Sequence, residues 1–75
     1  MVINAGERVL DWGAGYGAVG IAAALLEPQC HVTMVEVNRR AADLARLNIR
    51  ENAVPNAEVI DGEAPGALGE TRFDR

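Results

Sequence analysis

The chain has 75 residues and a formal net charge of −4, a length that allows one small domain, burying only about 60% of the surface its unfolded chain exposes. The acidic balance, with a sequence pI near 4.8, argues against nucleic-acid binding by this segment alone, which needs a basic face. A lone cysteine, Cys30, excludes an internal disulfide and a cysteine-based zinc site, and no apolar run approaches the roughly 20 residues that span a membrane.

Residues 7–12 predict a first strand that closes on Asp11. It passes into Trp12-Gly13-Ala14-Gly15-Tyr16-Gly17, with glycine at every second position. Such a loop lets backbone N–H groups approach a bound small molecule, because no Cβ stands in the way. An apolar helix over residues 16–26 follows, favoured by Ala22, Ala23 and Ala24. Its positive end points at the same loop, and Pro28 stops it. Residues 30–36 predict strand two, with Val32, Met34 and Val35 available for the core. Asn38 is a fitting N-cap for a helix over residues 39–52. In that helix Ala41, Leu44, Ala45 and Asn48 recur at helical spacing, with Arg40 and Leu47 beside them. Pro55-Asn56 predicts a turn, residues 57–61 a short third strand ending on Asp61, and residues 62–69 a glycine- and proline-containing loop.

Strands alternating with helices imply right-handed crossovers and a parallel sheet. The class is α/β: a Rossmann-like β-α-β-α-β unit, half of a doubly wound sheet. The whole of residues 1–75 reads as one partial domain, with a parallel edge strand that needs a cover.

Ligands of open parallel sheets bind outside the carboxyl ends of the strands. Asp11, Glu36 and Asp61 each stand at such an end, on the edge that carries the glycine loop. A carboxylate after strand two can accept both hydroxyls of a ribose. One after strand three can accept from an exocyclic amine such as that of adenine. Asp11 can hold the N–H groups of the glycine loop or face a ligand ammonium through them. No lysine follows the glycines, so a nucleotide-hydrolase phosphate loop is absent.

The run Val9-Leu10-Asp11-Trp12-Gly13-Ala14-Gly15-Tyr16-Gly17 resembles the first motif of class I S-adenosylmethionine-dependent methyltransferases. Val32-Thr33-Met34-Val35-Glu36-Val37-Asn38 resembles the strand-two motif of that family, and Val59-Ile60-Asp61-Gly62-Glu63-Ala64 its strand-three motif. Gly15 to Gly20 and the helix start Glu36-Val37-Asn38-Arg39-Arg40-Ala41 are most similar to its small-domain branch, which includes ribosomal RNA guanine-N2 methyltransferases. The resemblance covers about residues 7–75.

The resemblance implies the amino-terminal half of a class I methyltransferase domain that binds S-adenosyl-L-methionine. Gly13, Gly15 and Gly17 would pass under the methionine part, with Asp11 nearby. Glu36 would bind the ribose hydroxyls, Val37 would pack on the adenine face, and Asp61 would bind the adenine amine with Gly62 and Glu63 beside it. Arg72-Phe73-Asp74 resembles the lead-in to a fourth strand. In the amino-methylating branch that strand ends in an Asn-Pro-Pro-aromatic motif, which this sequence does not contain. The implied acceptor is a nucleic-acid base such as a ribosomal RNA guanine, reached through regions outside these residues. A complementing chain or oligomer is a possible partner. Trp12 stands where the family more often has a smaller aliphatic residue, and Ala14 where it has cysteine or threonine. No residue is an evident general base, so no catalytic residue is assigned.

Two other readings compete. Gly15 to Gly20 also fits a dinucleotide fingerprint with Glu36 about 20 residues on, which would make the chain part of an NAD(P)- or FAD-dependent oxidoreductase. An inactive remnant or partner subunit is the other. Cys30 reads as a small buried hydrophobe and His31 as a solvent-facing strand residue. Arg39, Arg46 and Arg50 read as a solvated, salt-bridged helix face. Tyr16 either covers the cofactor or starts the helix. The N-terminal residues lack signal-peptide features, and a reducing cytoplasm is the expected compartment.

Overall fold

The structure is a computed structural model that describes residues 2–62 and 73–74. Its elements run β1 (Arg8–Trp12), α1 (Ala18–Leu26), β2 (His31–Glu36), α2 (Arg39–Glu51) and β3 (Ala57–Asp61). The three strands form one parallel sheet in the order β1-β2-β3. The register sets Trp12 beside Val35 and Glu36 beside Asp61, so the carboxyl ends of all three strands lie on one edge. The expected α/β architecture is therefore present.

Right-handed crossovers that step the same way along a sheet place their helices on one face. Accordingly α1 and α2 touch each other and both pack on β2. Between them and the sheet lies an aliphatic core of Ile21, Ala23, Ala24, Cys30, Val32, Met34 and Val54, with Val9 and Val59 packed against it. Small residues on the inner helix faces allow a close approach: Ala42 and Ala45 of α2 are fully buried. The inner face of α2 is thus Ala42 and Ala45, while Leu44 and Leu47 point outward and are exposed, contrary to the periodicity reading. Ala45 Cβ lies 3.2 Å from the Cβ position of Gly17 at the start of α1, a close approach that suits a methyl group. Val35 is buried too, but it alternates away from Met34 onto the other face of the sheet.

The first helix starts two residues later than expected because Gly17 is its N-cap, with φ +95°. A left-handed residue cannot be helical. At Gly20 a Cβ would lie 2.5 Å from Met34 Sδ, 2.7 Å from Met34 Cγ and 3.0 Å from Asp11 Oδ2. Glycine here is a packing requirement. Gly20→Ala gains up to about 1 kcal/mol of helix propensity, but it crowds a fully buried methionine at a cost of about 1–3 kcal/mol. The expected result is a net loss of stability, read as a lower urea midpoint at unchanged slope.

Asn38 caps α2 as expected, its Oδ1 accepting from the Ala41 N–H at 3.1 Å. The far end of α2 closes on Ala53 at φ +50°, with the Val54 N–H returning to the Ile49 carbonyl at 3.0 Å. Asn56 then ties three carbonyls together. Its Nδ2 donates to Ala24 at 2.9 Å, Cys30 at 3.0 Å and Glu27 at 3.3 Å. The outer edge of β1 meets Asp74, whose N–H donates to the Arg8 carbonyl at 2.8 Å while its Oδ2 accepts from the Arg8 N–H at 2.8 Å. Arg72, Glu63 and the expected loop beyond Gly62 lie outside the described residues. Among the described residues no helix is long and apolar enough to cross a membrane.

Candidate functional site

The glycine loop is built on β2. The N–H groups of Gly13 and Ala14 both donate to the Val35 carbonyl, at 2.9 and 3.1 Å, and the Gly17 N–H closes a turn on the Ala14 carbonyl at 3.0 Å. Gly13 and Gly15 have φ of +72° and +60°, and a Cβ on either would meet nothing within 4 Å. The loop therefore needs glycine for its backbone and leaves open space above it. Gly17 does the opposite. Its Cβ position faces Ala45 Cβ at 3.2 Å, so it serves the helix packing rather than the open side.

Glu36 is the centre of the arrangement. Oε1 accepts from the Gly15 N–H at 2.7 Å and Oε2 from the Asn38 N–H at 2.8 Å. These two donors, Asn38 foremost, hold its carboxyl below the ordinary carboxylate value despite its burial. One carboxylate thus joins the glycine loop to the start of α2. The sequence reading allowed Asp11 to hold the loop N–H groups; in the structure Glu36 takes that part. β1 delivers Asp11 beneath the start of α1 instead, where burial pushes its carboxyl up and the Gly20 backbone N–H partly opposes the shift. Asp11 Oδ2 is buried without a hydrogen-bond partner. A buried acceptor without a donor is costly, and this one lies against Gly20 of α1.

Val37 follows Glu36 and is 68% exposed at the same edge, as an apolar platform would be. Asp61 lies next to Glu36 across the β2–β3 ladder, and the Gly62 N–H donates to the Glu36 carbonyl at 3.3 Å. Asp11, Gly13, Gly15, Glu36, Val37, Asp61 and Gly62 therefore share one edge of the sheet. Tyr16 is exposed beside them, and its carbonyl accepts from Asn48 Nδ2 at 2.9 Å.

Sequence reading missed two residues of this site. Asn48 secures the loop from α2; a polar residue in line with Ala41 and Ala45 was the available signal. Arg46 was assigned to a solvated, salt-bridged face, and its ion pair with Asp43 is present. In the structure it is half-buried and bonds the Val59 carbonyl at 3.2 Å as well as Asp43 at 3.1 Å. Nothing in one sequence places a helix residue against a particular strand. His31 is exposed as expected, with Glu58 Oε1 3.2 Å from its Nε2. Among the described residues no group of His, Cys, Asp and Glu could hold a metal ion.

An acid-edged glycine loop at the carboxyl ends of a parallel β-α-β-α-β sheet defines the class of Rossmann-like small-molecule-binding folds. Residues 1–75 match the model of the methyltransferase small domain family, and the chain belongs to that family. It is 41% identical over 61 residues to a ribosomal RNA large subunit methyltransferase G of Streptomyces avermitilis, covering 81% of this chain and 16% of that protein. It is 38% identical over 63 residues to a cobalt-precorrin-6B C(15)-methyltransferase (decarboxylating) of Salmonella typhimurium, covering 84% and 33%. A solved SAM-dependent methyltransferase from Thiobacillus denitrificans, in complex with S-adenosyl-L-homocysteine, superposes with a TM-score of 0.81 at 25% identity, covering 96% of this chain and 29% of that one. The chain thus spans a third or less of the length of these relatives. The dinucleotide-oxidoreductase reading gains no support from them.

Proposed function

We propose that the chain forms the cofactor half-site of an S-adenosylmethionine-dependent methyltransferase. The observation that carries this is the open space over Gly13 and Gly15, bordered by the carboxylate of Glu36. The residues present fit the cofactor. Gly13 and Gly15 accommodate its methionine part with backbone alone, and the unpartnered Asp11 Oδ2 lies at the carboxyl end of the same strand, β1. Glu36 keeps further lone pairs for the ribose hydroxyls beyond those that accept the Gly15 and Asn38 N–H groups. Val37 offers its exposed side chain to the adenine face, and Asp61, with Gly62 beside it, accepts from the adenine amine. Gly17 supports the site indirectly, through the seating of α1.

When bound, the cofactor supplies an electrophilic sulfonium methyl group. The part of this chain is binding and orientation, which lower the barrier mainly by proximity. The acceptor we propose is a nucleic-acid base such as a ribosomal RNA guanine, on the strength of the branch resemblance and the ribosomal RNA enzyme among the relatives. The corrin-directed relative supports an acceptor chosen outside these residues. A larger domain or a complementing chain then completes the protein. Val19, Leu25 and Leu26 of α1 are all exposed, and a helix apolar all round is normally covered.

An amide NMR titration with S-adenosylhomocysteine, and with NAD as control, tests the reading. Shifts at Gly13, Gly15, Glu36, Val37 and Asp61 with the former alone are expected. A dispersed spectrum that ignores S-adenosylhomocysteine would sink it. The 75-residue chain by itself is expected to show no multiple-turnover methylation of RNA.

A further inference from the structure

Arg46 joins the helix layer to the strand end that carries Asp61. Its Nη1 donates to Asp43 Oδ1 at 3.1 Å, while Nη2 donates to the Val59 carbonyl at 3.2 Å and lies 3.6 Å from Asp61 Oδ1. The guanidinium is planar, so bonds on two sides fix its orientation. β3 is an edge strand, and Asp61 is its last residue. Without a tether, a carboxylate at such a terminus samples several rotamers in solvent. Exposed ion pairs contribute little to stability, so stability is a weak reason for this arrangement. Its geometric effect is stronger. The ion pair at 3.6 Å is longer than a hydrogen bond, so it places the carboxylate without using up its lone pairs.

We infer that Arg46 is a positioning residue that sets the preference of this site for a 6-aminopurine over a 6-oxopurine by fixing the Asp61 carboxylate at the end of β3. The inference rests on the reading of Asp61 as the acceptor for the adenine amine. A carboxylate only accepts hydrogen bonds. It therefore matches an exocyclic amine and opposes the oxygen of a 6-oxo base, provided that it is held where that group arrives. Discrimination of this kind comes from mismatched polar groups and depends on their placement.

The test compares binding of S-adenosylhomocysteine and S-inosylhomocysteine, which differ by amine against oxygen at that position. The chain and its Arg46→Ala and Arg46→Lys variants would be titrated by amide NMR. The chain is expected to prefer the adenosyl ligand roughly tenfold or more. In Arg46→Ala the ratio should fall to about twofold, through weaker adenosyl binding with inosyl binding nearly unchanged. Arg46→Lys should lie between, because a single ammonium keeps the charge but lacks the planar fork that reaches Asp43 and Val59 from separate nitrogens. A merely structural role would weaken both ligands equally and leave the ratio intact, and that result would overturn the inference. Should Arg46→Ala lose its dispersed spectrum, the ratio in Arg46→Lys decides. Equal binding of both ligands by the unaltered chain also overturns the inference while leaving the cofactor site standing. Binding of neither ligand defeats the cofactor reading itself, and the inference with it.

Discussion

Replacing Asn56 by alanine is expected to cost the chain about 2 kcal/mol or more of stability. The side-chain amide of Asn56 serves the carbonyls of Ala24, Glu27 and Cys30 at 2.9, 3.3 and 3.0 Å. These carbonyls belong to the end of α1 and the turn into β2, while Asn56 itself precedes β3. The Asn56 carbonyl also accepts from the Val32 N–H at 2.9 Å, which fixes where the amide group sits. Alanine keeps that backbone bond and removes every side-chain donor. The Glu27 carbonyl keeps the Cys30 N–H at 3.0 Å, so the Ala24 and Cys30 carbonyls lose the amide as partner, and at about 1 kcal/mol or more for each the loss is about 2 kcal/mol or more. A domain of this size has only a few kcal/mol to lose. The measurement is urea denaturation followed by circular dichroism. A midpoint within error of the unaltered chain would show that water replaces the amide at no cost. Asn56→Asp should be worse than alanine, since it sets a carboxylate against three carbonyl oxygens.

The largest effect on binding is expected at Glu36. Glu36→Gln leaves one acceptor oxygen where two backbone donors, Gly15 and Asn38, arrive from opposite sides. The new amide must turn its own N–H groups toward one of them. The glycine loop then loses its tie to α2, and the ribose loses its charged acceptor. A fall in S-adenosylhomocysteine affinity of about 10- to 100-fold is expected, measured by titration at neutral pH. Gly15→Ala keeps the Glu36 carboxylate but puts a Cβ into the space left open over the loop and strains the backbone at φ +60°, so it should also weaken binding. A Glu36→Gln variant that binds normally would remove Glu36 from the site.

The same residue sets part of the acid response. The folded chain keeps Glu36 deprotonated below its ordinary value of 4.5, whereas the unfolded chain takes up the proton first. Its contribution is therefore present above 4.5 and is lost as pH falls through the lowered value. Asp11 works in the other direction. Burial raises it above its ordinary value of 3.8, so the folded chain binds that proton more readily, and this contribution is lost as pH rises through the raised value. Thermal midpoints taken from neutral pH down to about pH 3 should thus fall less steeply in Glu36→Gln than in the unaltered chain, and more steeply in Asp11→Asn. Parallel profiles in all three would contradict the opposed shifts.

Local chemistry made much of this legible before any coordinates. The β-α-β-α-β order follows from one apolar and one amphipathic helical run between short strand-forming runs, each bounded by proline, glycine or asparagine. The convergence of Asp11, Glu36 and Asp61 needed only the rule that parallel strands share one carboxyl edge, and the glycines announced a close backbone approach. Asn38 at the start of α2 was legible because its cap bond reaches only three residues along the chain.

What tertiary structure decided lies wherever a bond spans distant parts of the chain. That Glu36 rather than Asp11 binds the loop depends on how far each carboxylate stands above the sheet, which the register of β1 on β2 sets. That α2 turns Ala42 and Ala45 inward, with leucines outside, depends on the gap above Met34. Helical spacing offers Leu44 and Ala45 nearly equally, and only the sheet beneath can choose by volume. Asn56, Asn48 and Arg46 owe their roles to partners 13 to 32 residues away. Each is a polar residue that any loop or helix surface could carry, and its meaning comes from the carbonyl that folding brings to it. The sequence by itself determined the kinds of element, their order and the chemistry of the sheet edge, because these depend on near neighbours. Packing then assigned each side chain its partner, because only the closed fold sets those distances.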